Sequence, residues 1–137
     1  MITFVKILGP PLHKALKELE KIAIDKPYVC MMSTPIAIHM PLELAKDVSG
    51  YTGYERKAEI LDPKLPEFAW RYFDSSNLII SRERCESIIS RSGVKLGEYD
   101  FYFEWKMKPS NKDIEELIKE IDTALQPIGC LYTLVTK

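Results

Sequence analysis

The arginine residues are the best candidates for chemistry in this sequence, because they are concentrated in one part of the chain. All five lie in its central segment: Arg56, Arg71, Arg82, Arg84 and Arg91. The two ends of the chain use lysine instead. A planar guanidinium binds a carboxylate or a phosphate through two parallel hydrogen bonds, so this distribution indicates an anion site in the central segment. The alternative is that these arginines lie on solvated surfaces or pair with nearby glutamates, with little consequence.

A loop rich in glycine and tyrosine precedes the first arginine. Residues 49–54 read Ser-Gly-Tyr-Thr-Gly-Tyr and offer hydroxyl groups, flexible backbone amides and two aromatic rings. Such groups can hold a phosphate and stack on a planar molecule. The loop has neither the ending of a Walker loop nor the glycine spacing of a dinucleotide-binding fold, and a packed surface loop is the alternative. Together with the arginines it predicts a ligand pocket that involves Tyr51, Tyr54, Arg56, Trp70, Arg71, Arg82 and Arg84.

The sequence identifies no catalytic residue, metal site or cofactor motif. Its two histidines, His13 and His39, form no metal-binding spacing with each other or with neighbouring acids. Cys85 lies beside Arg82 and Arg84 near the start of a predicted helix, which would favour a thiolate. It also shares an apolar stripe with two isoleucines, which favours a buried, unreactive side chain.

The overall charge argues against two classes of partner. With 19 basic and 20 acidic residues the chain has a formal net charge of −1, so the attraction that drives general binding to nucleic acids or anionic membranes is missing. The apolar runs are far shorter than the ~20 residues of a membrane helix, and the amino terminus is typical of a strand rather than a signal peptide. We therefore expect a cytoplasmic protein. Abundant lysine, glutamate and isoleucine with little asparagine or glutamine also give a thermophile-like composition.

Two helices are well marked, and each lies between two strand-like runs. The first helix follows Pro10 and Pro11, and its apolar residues recur at helical spacing. The second begins at Ser110, whose spacing to Asp113 is that of a capping box, and it stops near residues 127–129. Strands are predicted for residues 2–8, 28–34, 101–107 and 130–135.

This repeated pattern predicts an α+β fold of the ferredoxin-like type, in which two right-handed βαβ units lie side by side in one antiparallel sheet with the helices on one face. Residues 1–137 would form a single domain, with βαβ halves at 1–34 and 100–137 and a long central insertion at 35–99. The second and fourth strands would then be opposite sheet edges. Cys30 and Cys130 should therefore lie too far apart for a disulfide bond.

The insertion is much longer than an ordinary connection and must contain structure of its own. We expect residues 36–40 to extend the sheet or form a hairpin, residues 41–48 to form a short helix, and residues 49–54 and 62–66 to form loops. Residues 68–73 fit either a helix or a strand. Ser81 is expected to cap a helix whose apolar side is Cys85, Ile88 and Ile89 and which stops at residues 92–93.

The third predicted strand alternates apolar and polar residues. Phe101, Phe103, Trp105 and Met107 share one side, which should meet the helices. Tyr102, Glu104 and Lys106, with Lys6 from a neighbouring strand, should occupy the open face of the sheet. That face would then be a polar surface, a dimer contact or a ligand site.

The leading functional hypothesis is a small binding or regulatory module for a small anionic or planar ligand, which forms a homo-oligomer through a sheet edge or an open sheet face. One alternative is a small enzyme that uses the same pocket for a carboxylate- or phosphate-bearing substrate. The other is a non-catalytic assembly subunit, which predicts a large apolar patch and no formed pocket.

Overall fold

The computed structural model describes residues 1–40 and 64–137. The predictions for residues 41–63, which include Tyr51, Tyr54 and Arg56, lie outside these ranges. The described part has an α+β architecture with one four-stranded antiparallel sheet and five α-helices. The strands are β1 (Ile2–Leu8), β2 (Val29–Ser33), β3 (Phe101–Trp105) and β4 (Leu131–Thr136). The helices are α1 (Leu12–Ile24), α2 (Thr34–His39), α3 (Leu65–Ser75), α4 (Arg82–Cys85) and α5 (Asn111–Leu125), and a short 3-10 turn, Gln126–Ile128, follows the last.

The strands lie in the order β2-β3-β1-β4, so β2 and β4 are opposite edges of the sheet, as expected. The two halves of the chain interlock, which differs from the simple side-by-side arrangement that was predicted. Strand β3 lies between β1 and β2, and β1 lies between β3 and β4. This order puts two strongly apolar strands at the centre, where Val5, Phe101 and Phe103 are completely buried.

Helices α1 and α5 contact each other along their apolar sides. The predicted stripe of α1 is largely confirmed, since Ala15, Leu16, Leu19 and Ala23 are buried, whereas Leu12 remains partly exposed. In α5 the predicted capping box is present: Asp113 N donates to Ser110 Oγ, and Ser110 N donates to Asp113 Oδ2.

Helix α2 replaces the strand or hairpin that was predicted for residues 36–40. Ser33 begins it, because the Ser33 hydroxyl oxygen accepts a hydrogen bond from the amide of Ile36 at 3.3 Å, and Pro35 suits the first turn. Ile36, Ala37 and Met40 are buried, a spacing that suits a helix. The strand prediction was wrong because the helix-start signal at Ser33 outweighs the apparent alternation that follows it.

Helix α3 resolves the ambiguity at residues 68–73 in favour of a helix. It begins at Leu65 with Pro66 in its first turn, so the predicted loop at residues 62–66 extends too far along the chain. Helix α4 starts where expected, since the Ser81 hydroxyl oxygen accepts from Arg84 N at 3.1 Å, but it is only one turn long.

The chain after α4 pairs with the outer edge of β2. Met31 N donates to Ile88 O at 2.7 Å, and Ser90 N donates to Met31 O at 2.8 Å. Ile88 and Ile89 are buried in consequence. One edge of the sheet is therefore covered by the protein itself.

The predicted open face is wrong for Tyr102 and Glu104, because residues 90–99 lie over that part of the sheet. Tyr102 is completely buried and donates from its hydroxyl to Val94 O at 3.0 Å. Glu104 accepts hydrogen bonds from the hydroxyls of Ser90 and Ser92. Lys6 and Lys106 keep exposed ammonium groups, which donate to backbone carbonyl oxygens. In the described ranges, no helix is both long and apolar enough to cross a membrane.

Candidate functional site

A cavity of about 770 Å³ lies between α1, α2 and α3. Its volume is in the range of pockets that bind small molecules. The wall is mainly apolar and includes Leu16, Ile38 and Phe68. Helix α2 contributes a large part of the wall, so the helix that the sequence prediction missed is also the element that forms the site.

The polar residues of this wall are basic or neutral. Arg71 projects from α3, His13 from the first turn of α1, and His39 from the end of α2. None of the described lining residues is acidic. The described part of the wall therefore contains basic side chains and no carboxylates, which favours an anionic ligand group.

The ring of His39 is held by its own helix. Its Nδ1 lies 2.8 Å from the carbonyl oxygen of Pro35. A carbonyl oxygen can only accept, so Nδ1 carries a proton, and in the neutral ring Nε2 is the acceptor. The ring also lies near that of Tyr72, with 6.3 Å between the centroids. His39 can thus offer a defined acceptor atom to a ligand or a proton.

A buried carboxyl group lies behind the cavity wall. Glu20 is 3% exposed, although it belongs to the apolar side of α1. Its Oε2 accepts a hydrogen bond from the Tyr72 hydroxyl at 2.7 Å and from the Ser33 hydroxyl at 3.1 Å. Since Tyr72 is part of the wall and Ser33 caps α2, this one carboxyl group connects α1, α2 and α3.

Burial raises the pKa of Glu20 to about 7, above its ordinary value of 4.5. The hydrogen bonds from Tyr72 and Ser33 and the charge of Lys17 act in the opposite direction, but they are weaker than the cost of burying a charge. The pKa of Tyr72 is raised as well, first by burial and then by the neighbouring carboxylate. Near neutral pH the cavity is therefore backed by a carboxyl group that readily gains or loses a proton.

The predicted ligand residues in the described ranges occupy different places. Arg71 lines the cavity. Trp70 and Arg82 pack against each other instead, with the guanidinium carbon 4.0 Å from the ring centroid, an attractive cation–π geometry. The structure therefore separates Arg71 from the Trp70–Arg82 pair.

The guanidinium of Arg84 forms hydrogen bonds with backbone carbonyl groups and does not line the cavity. Its guanidinium donates to the carbonyl oxygens of Ala23, Ile24, Lys26 and Val29 and to the Ser87 hydroxyl, at distances between 2.5 and 3.2 Å. These carbonyls belong to the end of α1 and the start of β2, where a helix leaves acceptors without intrahelical partners. Arg84 thus ties α4 to the first βαβ unit.

The cysteines are free and buried. Burial raises the pKa of Cys85, although Arg82 opposes the shift, so the thiolate that its neighbours suggested is disfavoured. Burial, together with Glu104, also raises the pKa of Cys30 to about 12. Within residues 1–40 and 64–137 no cluster of histidine, cysteine and acidic side chains is arranged to hold a metal ion.

Sequence reasoning missed Glu20 and Tyr72 as parts of the site. The signal for Glu20 was present, since it lies four residues after Leu16 and three before Ala23, a spacing that places it beside the apolar stripe of the helix. Tyr72 lay in a segment whose secondary structure was ambiguous. No protein-family model, curated protein or solved structure matches this chain.

Proposed function

We propose that the protein binds a small ligand with a planar apolar body and one anionic group, in the cavity between α1, α2 and α3. The observation that carries this proposal is the composition of the wall, in which Arg71, His13 and His39 border an apolar space of about 770 Å³. A carboxylate or phosphate would pair with Arg71. The planar body would lie against Phe68 and Ile38.

The buried Glu20 should make the affinity for an anionic ligand depend on pH. Its carboxylate would oppose an anion in the cavity, because it lies directly behind Tyr72, a wall residue whose hydroxyl donates to Glu20 Oε2. Ligand binding should therefore favour protonated Glu20, and affinity for an anion should rise as the pH falls through about 7.

The first test is a thermal-shift screen of small planar acids, each paired with its neutral amide, for example salicylate with salicylamide. The acids should raise the melting temperature more than their amides. Native mass spectrometry of freshly purified protein should also reveal any retained compound. If no acid in the panel stabilises the protein more than its amide, the proposal is wrong.

An enzyme is the second candidate, and His39 is the observation that favours it. The hydrogen bond from His39 Nδ1 to the carbonyl oxygen of Pro35 fixes the ring orientation. It leaves Nε2 as the acceptor atom of the neutral ring. Replacing His39 by asparagine keeps a donor near the Nδ1 position and removes Nε2. Turnover of a bound acid that is lost in this variant while binding persists would identify an enzyme, whereas unchanged binding without turnover supports a binding module.

We further propose that the fold is a ferredoxin-like sandwich. This is supported by α1 connecting β1 to β2, by α5 connecting β3 to β4, and by the contact between the two helices. It is also supported by the edge positions of β2 and β4. We expect both β-α-β connections to be right-handed and both helices to lie on one face of the sheet. A crystal structure with a left-handed connection would contradict the proposal.

A further inference from the structure

One edge of the sheet is covered by another segment of the chain, and the other edge is free. The edge at β2 is covered by residues 88–90 through two backbone hydrogen bonds. The edge at β4 pairs with β1 on one side only, and it is an end of the sheet. Natural proteins usually protect such an edge with a charged residue, a proline or a bulge. Residues Leu131–Thr136 contain no charge and no proline, and their register with β1 has no bulge.

On one face of the sheet, exposed apolar side chains lie on both sides of the Lys6–Thr133 pair at this edge. Leu131 is 70% exposed and Val135 is 37% exposed, and Leu8 on the adjacent strand is 44% exposed. On the helix side, the surface beside β4 contains a depression of about 720 Å³ that involves Ile118, Tyr132 and Leu134. Apolar surface therefore borders the free edge on both sides of the sheet.

The hydrogen-bond pattern of β4 shows which backbone groups are available. Ile2 and Lys137 exchange two hydrogen bonds of 2.9 Å, so Lys137 directs its backbone groups toward β1. Because this direction alternates along an antiparallel strand, residues 131, 133 and 135 also face β1. Tyr132, Leu134 and Thr136 present their amide and carbonyl groups outward.

We propose that β4 pairs antiparallel with β4 of a second copy of this chain, which joins two sheets into one of eight strands. A two-fold axis through Thr133 would place the two Thr133 side chains opposite each other. The same register places Leu131 opposite Val135 of the second copy, and Tyr132 opposite Leu134. The strand is thus complementary to itself, with apolar and threonine pairs and no opposed like charges.

A second copy fits this edge better than a single foreign strand. One paired strand buries less surface than a stable complex needs. Symmetric pairing also brings the two copies of the α5–β4 surface together, so that the depressions near Ile118 are covered as well. The kind of partner is therefore an identical chain.

The test combines the mass of the particle in solution with cross-linking at the predicted axis. Light scattering after size exclusion should give two chains per particle for the wild type. Thr133→Lys places two ammonium groups opposite each other and should weaken the dimer about tenfold or more. Ile79→Lys is the matched control, since Ile79 is 95% exposed in a loop outside the sheet and the added charge is the same.

Cross-linking distinguishes the register from other contacts. In Thr133→Cys the two cysteines would form a non-hydrogen-bonded antiparallel pair, whose close approach suits a disulfide bond under mild oxidation. Val135→Cys, on the same face, should not cross-link to itself because the two copies of residue 135 would be four positions apart along the strand. A monomeric wild type, a dimer that Thr133→Lys leaves intact, or preferential cross-linking through Val135→Cys would overturn the proposal. A heterogeneous complex with another protein in place of the dimer would overturn it as well.

Discussion

Replacing Glu20 by glutamine should change how the stability of the protein depends on pH. Burial raises the pKa of Glu20 to about 7 from 4.5. The folded protein then holds this proton more tightly than the unfolded chain does. Stability from the neutral carboxyl group is fully present below about pH 4.5 and is lost as the pH rises through about 7. Above that pH the loss stays constant.

The size of this effect follows from the pKa difference. A change from 4.5 to about 7 corresponds to roughly 3 kcal/mol of unfolding free energy between acidic and alkaline conditions. Glutamine has nearly the same shape and carries no charge, so the variant should lack this loss. The amide nitrogen that replaces one carboxyl oxygen is a donor without an acceptor at this site. Leaving it unpaired should lower the unfolding free energy by about 1 kcal/mol at every pH.

Urea denaturation of the wild type and Glu20→Gln between pH 4.5 and 9 measures both the pH-dependent loss of stability and the constant cost of the amide. The variant should be slightly less stable than the wild type at pH 5 and more stable by about 2 kcal/mol at pH 8.5. Glu115→Gln, at an exposed position of α5, is the control and should follow the wild-type profile. Parallel profiles for the wild type and Glu20→Gln would refute the reasoning, because they would mean that Glu20 titrates alike in the folded and unfolded chain.

The other predictions concern the hydrogen bonds around this carboxyl group and the backbone contacts of α4. Tyr72→Phe removes the donor at 2.7 Å from Glu20 Oε2, so the pKa of Glu20 should rise further and the midpoint of the pH profile should move upward by about one unit; an unchanged midpoint counts against the bond. Arg84→Lys cannot bridge the carbonyl oxygens at the end of α1, and it should lower the unfolding free energy by about 2–3 kcal/mol. Arg82→Lys, which alters only the contact with Trp70, should cost less than about 1 kcal/mol, and equal losses in the two variants would show that the backbone bonds are unimportant.

The elements that the sequence predicted best have local signals. Pro10 and Pro11 place the start of α1, and Ser110 with Asp113 places the start of α5, because caps act within a few residues of the helix end. Strand β1 has the predicted bounds. These parts of the fold depend on short-range chemistry that can be read from neighbouring residues.

The parts that the sequence did not predict depend on contacts between distant segments. Arg84 has the same residue type and neighbourhood as Arg82, yet it bonds to carbonyls about 60 positions away along the chain. Tyr102 was expected on an open surface because no local signal shows that residues 90–99 cover it. The cavity likewise requires three helices, one of which was predicted as a strand. Residue types indicated anion binding, but only the packing distinguishes Arg71 from the other arginines.

Calorimetric titration of Arg71→Gln is the most direct test of the anion-binding cavity. The ligand would be the planar acid that stabilises the wild type most in the thermal-shift screen, and Arg82→Gln would serve as the matched control. Loss of a charged contact in the cavity should weaken binding to Arg71→Gln by about tenfold or more, while Arg82→Gln keeps the wild-type affinity. Equal affinities in Arg71→Gln and the wild type, or a larger loss in Arg82→Gln, would contradict the assignment of this cavity as the binding site.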